Sequence, residues 1–84
     1  MMTTATDLAA EALFVSDLQP SQQPTPAEVE AAVTAMVARY GTAGCAASCA
    51  AEFGDHPDTA TRRMTWVRQV LLAVLASEVP RARG

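Results

Sequence analysis

The chain has 84 residues and a mass of 8.8 kDa, is 50% hydrophobic and carries a formal net charge of −3. Alanine supplies 18 of those hydrophobic residues and only 24 are larger, so the core is thin, and a domain of this size buries only about 60% of its unfolded surface. The length excludes a multidomain enzyme and a doubly wound nucleotide-binding fold, and it sets the expectation of one helical domain over residues 1–84.

Four helices are expected. The first runs from about Thr6 to Phe14 after the run Thr3-Thr4-Ala5-Thr6, with Thr4 and Asp7 spaced as a capping box. Leu8, Ala12 and Val15 share one of its faces, while Leu13 and Phe14 point elsewhere. Residues 16–24 hold Pro20 and Pro24 among Ser and Gln and read as an extended Pro-rich loop with Leu18 as its apolar anchor.

The second helix has the clearest start. Thr25-Pro26-Ala27-Glu28 places Thr at the N-cap, Pro at the first helical position and Glu at the third. Val29, Val33, Met36, Val37 and Tyr40 then form one stripe, and Gly41 supplies a left-handed end. A third, short and Ala-rich helix spans about Ala43 to Phe53, with Cys45, Cys49 and Phe53 recurring every four residues and Gly54 closing it.

The fourth helix opens at Asp55-His56-Pro57-Asp58, with Asp55 as N-cap, and runs to Val79, where Pro80 stops it; residues 81–84 form a frayed tail. At 100° per residue, its large apolar groups from Trp66 to Val79 cover an arc of about 240°, whereas a single packing partner needs little more than about 100°. Met64, Val67 and Leu71 are the expected core residues. The helix therefore either sits at the centre of a very small bundle or shows a second face to another molecule, and on the second reading Trp66, Val70, Leu72 and Val74 are the expected interface residues, facing a second copy of the chain or another protein.

All six basic residues are Arg, and Lys, Ile and Asn are absent, as a GC-rich coding sequence would give. Residues 1–53 hold six acids and one Arg, a balance of −5; residues 54–84 hold three acids and five Arg, a balance of +2. The simplest use of that split is attraction within the fold or between chains.

The remaining motifs have bland readings. Cys45 and Cys49 share a helix face, but zinc needs four ligands and only His56 offers a third, so both thiols are expected as small buried hydrophobes. His56 has no Ser or Cys arrangement around it that amounts to a triad and is expected in a turn. No enzyme, cofactor or metal is expected. Met1 to Ala12 has neither a basic start nor a long apolar run, and the longest apolar run, Val70 to Ala76, is far too short to span a membrane. A cytoplasmic, reduced protein is the expectation.

A sharper alternative uses the third and fourth helices as a helix-turn-helix. Ala50 and Gly54 match the small residue and turn glycine of that motif, and Arg62, Arg63 and Arg68 are the candidate DNA contacts. Asp55 after the glycine, Arg63 at a position that is usually buried and the acidic chain count against it.

The strings Leu13-Phe14-Val15-Ser16-Asp17-Leu18-Gln19-Pro20-Ser21, Pro24-Thr25-Pro26, Phe53-Gly54-Asp55-His56-Pro57-Asp58-Thr59 and Arg63-Met64-Thr65-Trp66 resemble a set of short actinobacterial proteins with no assigned activity. The resemblance covers about Leu13 to Val70. It implies a small helical fold and carries over no catalytic or binding residue. The sequence reading is therefore an all-α bundle of about four helices with a long C-terminal helix, acting by protein–protein contact and homodimeric through that helix.

Overall fold

The computed structural model describes residues 4–78. Among them the chain is all-α: helix α1 (Thr4–Val15), a single 3-10 turn (Pro20–Gln22), helix α2 (Pro26–Asp55) and helix α3 (Pro57–Glu78). Three α-helices replace the expected four. The second and third expected helices are one element, α2, bent at Gly41. The glycine does break the regular backbone, at φ 73° and ψ 165°, a region open in practice only to residues without a Cβ. Helical turns resume directly after it, so the break is a kink. The Cys45 thiol spans the bend and donates to the Met36 carbonyl at 3.6 Å.

The start of α2 follows the sequence signal. Thr25 Oγ1 accepts from the Glu28 amide at 3.1 Å, and Glu28 Oε1 accepts from the Thr25 amide at 2.8 Å. Both are donors that a bare helix start leaves unsatisfied. The junction of α2 and α3 differs from the expected cap. Asp55 is the last residue of α2, and His56 alone is non-helical. The His56 amide donates to the Glu52 carbonyl at 2.7 Å, and its own carbonyl accepts from the Ala60 amide at 2.8 Å. One residue thus ends one helix and begins the next, with Pro57 at the first position, where its missing N–H costs nothing. The expected stop at Pro80 and the tail 81–84 lie outside the described residues.

The core is built from all three helices. Ala10, Ala12, Leu13 and Phe14 of α1, Val29, Cys45 and Cys49 of α2, and Ala60, Val67, Leu71 and Val74 of α3 are buried. The expected face of α1 is corrected: Leu13 and Phe14 are enclosed, whereas Leu8 and Val15 are only half-buried. α1 packs against both α2 and α3, so residues on either side of its axis meet protein and a single amphipathic stripe is not required. The ring of Phe14 stacks on that of Phe53, with centroids 5.7 Å apart. Leu18 is half-buried and docks the loop, as expected.

Lengths do not match. At 1.5 Å per residue, α3 is about 33 Å long and α1 about 18 Å, and the molecule measures 48 × 27 × 24 Å. Among the described residues, the end formed by the C-terminal half of α3 and the starts of α1 and α2 carries two surface depressions.

Candidate interaction surface

The broad apolar arc of α3 resolves into three bands. Ala60, Met64, Val67, Leu71 and Val74, at helical spacing, face α1 and α2; all are buried except Met64, which is half-buried. Arg63, Trp66 and Val70 form a half-buried flank on one side. Leu72 and Leu75 form the opposite flank, 68% and 46% exposed. Of the four expected interface residues, then, Leu72 is fully presented to solvent, Trp66 and Val70 are half-covered, and Val74, at 6% exposure, belongs to the core. The outward position expected for Val74 falls to Leu75. The reason is a register of one residue, since on a helix that is 100° of rotation. The expected core residues Val67 and Leu71 are buried.

Two depressions border the open flank. One, of about 240 Å³, is lined by Thr6, Arg68, Leu71, Leu72 and Leu75. The other, of about 390 Å³, continues past Leu71 and Leu75 to Ala9, Val29 and Val33, with Thr6, Glu30 and Thr34 also in its lining. The surface therefore carries exposed leucines beside one largely apolar hollow and one of mixed lining. Between Arg68 and Glu78, nine successive residues are uncharged.

The three candidate DNA-contacting arginines are not equivalent. Arg62 and Arg68 are exposed. Arg63 is half-buried against the end of α1, a role that sequence reasoning missed. Its Nε donates to the Phe14 carbonyl at 2.7 Å, and its Nη2 donates to the carbonyls of Ser16 and Leu18 at 2.9 Å each and of Leu13 at 3.4 Å. The guanidinium also sits 5.3 Å from the Trp66 ring centre and 5.7 Å from that of Phe14. α1 has no basic residue in its own last turn, so Arg63 places a cation at the negative end of that helix. Burial lowers the pKa of Arg63 from its ordinary value. The signal available in the sequence was a helix ending in Phe14-Val15-Ser16 with no cation of its own. Ser16 completes the closure: its hydroxyl donates to the Leu13 carbonyl at 2.7 Å and accepts from the Leu18 amide at 3.3 Å.

Cys45 and Cys49 are free thiols, 1% and 6% exposed. Burial first, then the negative charge of Glu11, raises both thiol pKa values; Arg68 opposes this at Cys49. Among the described residues no group of three His, Cys, Asp or Glu is placed to hold a metal ion, and no helix is long and apolar enough to cross a membrane. His56 is exposed at its helix junction. Comparison of the chain with protein-family models, with curated proteins and with solved structures gives no match.

Proposed function

We propose that this chain is a small, non-enzymatic helical interaction protein that works by protein–protein contact and pairs with a second copy of itself through the C-terminal half of α3. The observation that carries this reading is the exposure of Leu72 and Leu75 on neighbouring turns, beside a largely apolar hollow and within an uncharged stretch. A chain with so few large apolar residues leaves Leu72 68% and Leu75 46% exposed side by side, which supports a contact there. The uncharged stretch runs for about 13 Å of helix. A seam that short falls in the class of weak or transient interfaces, so dissociation in the micromolar range is expected.

Light scattering on a dilution series tests the reading. A mass that rises from monomer to dimer with concentration supports it, and loss of the dimer in Leu72→Glu assigns it to this face. A constant monomer mass throughout removes self-association. The helix-turn-helix alternative has less support, because Arg63 is committed to α1 and a single non-helical residue, His56, separates α2 from α3, where that motif has a turn of about three to four residues. Salt-dependent binding to duplex DNA that Arg62→Ala and Arg68→Ala weaken would restore it.

A further inference from the structure

The passage from α2 to α3 is far shorter than that from α1 to α2: His56 alone leaves the helical conformation, at φ −140° and ψ 67°. The helical ladder runs up to His56, whose amide donates to the Glu52 carbonyl. It resumes at Ala60, whose amide donates to the His56 carbonyl, again four residues back. The rungs of residues 57, 58 and 59 are all that separate α2 and α3 from one continuous helix. Pro57 accounts for the gap. It has no amide for the Phe53 carbonyl, its ring would clash with that carbonyl in a continuous helix, and it turns the residue before it away from helical backbone. Gly54, three residues earlier, has no positive φ, so the reversal does not depend on a glycine.

Straightening this junction has a defined consequence. A helix from residue 42, beyond the Gly41 kink, to residue 78 would be about 55 Å long, more than the 48 Å that the folded chain spans. α3 would then run away from its own α1 and α2 instead of packing on them, leaving the buried Ala60, Val67, Leu71 and Val74 without neighbours. A second straightened copy supplies the same neighbours. Each α3 packs on α1 and α2 of the other chain, so the core is rebuilt without any new complementarity. Short connections between packed elements favour exchange of this kind. We infer that Pro57 holds the chain in its closed form, and that the α2–α3 junction without it straightens and exchanges α3 between two copies. The exchange uses the core and not the face around Leu72, so it stands apart from the self-association proposed above.

Two variants decide it, both made in the Leu72→Glu chain so that the surface contact does not contribute. Pro57→Ala and its parent are unfolded in urea, refolded at high concentration and separated by size exclusion with light scattering. The expected result is a species of twice the chain mass for Pro57→Ala alone. It should dissociate after dilution only as slowly as the fold itself unfolds, since release of α3 breaks the core. A Gly-Ser-Gly insertion after His56 in the Pro57→Ala chain keeps each helix and breaks their continuity, and is expected to return the mass to that of one chain. A Pro57→Ala chain that stays monomeric, or a lasting dimer that forms equally in the parent or survives the insertion, would overturn the inference. So would loss of helical content in Pro57→Ala, because alanine is the best helix former and fits the first turn of α3.

Discussion

Arg63 shows how a single side chain joins elements that are distant in sequence. It closes the C-terminal end of α1 from nearly fifty residues away, donating to four carbonyls while lying within 6 Å of the centres of two aromatic rings. Hydrogen bonds from a charged donor are worth more than neutral ones, and removing the donor leaves half-buried carbonyls unpaired. Arg63→Met should therefore cost about 3 kcal/mol, read as a lower urea midpoint. Arg63→Lys should recover less than half of that loss, because a lysine has neither the planar fork nor the stacking face. Full recovery by Lys would show that charge alone matters. The buried cysteines add a pH dependence. Their thiol pKa values lie above the ordinary value of 9.0, so above that pH the unfolded chain holds fewer protons than the folded one. Stability should be level below about pH 8.5 and fall as the solution becomes more alkaline. Urea unfolding across that range checks it, and Cys45→Ala with Cys49→Ala should flatten the fall.

Two glycines of α2 differ in their backbone. Gly41 has a positive φ of 73° with nothing within 4 Å of a Cβ placed there, whereas Gly54 also has open space but lies within α2 without a positive φ. Alanine at these positions should act in opposite directions. Gly41→Ala should destabilise by about 1–3 kcal/mol through backbone strain, and Gly54→Ala should stabilise by about 0.5–1 kcal/mol because alanine is the better helix former. Thermal melts of the two variants compare them directly. The sequence showed both glycines and the Thr25–Glu28 capping box, because those signals are local. It misplaced the face of α1, because packing from two sides removes the one-sided stripe that a reader looks for. It read two helices where α2 is one bent element, because a glycine that ends a helix and one that kinks it look alike in sequence.

At the scale of the whole molecule, among the described residues a long α3 packs beside a shorter α1, with Leu72 and Leu75 exposed next to two depressions. That α3 was too apolar for one partner was legible from its periodicity. Which residues faced outward was not, because Val74 and Leu75 differ only by register and the tertiary packing of α1 and α2 sets it. The difference has consequences for substitution. Val74→Glu buries a carboxylate in the core and should unfold the chain. Leu72→Glu should leave the fold intact and, on the proposed self-association, abolish the dimer. Sedimentation velocity on the wild type and on Leu72→Glu, from low micromolar to hundred-micromolar concentration, tests the central claim most directly. The account predicts a sedimentation coefficient that climbs from monomer to dimer for the wild type and stays at monomer for a fully helical Leu72→Glu. A wild-type chain that remains monomeric over that range, or a Leu72→Glu chain that dimerises equally well, would contradict it.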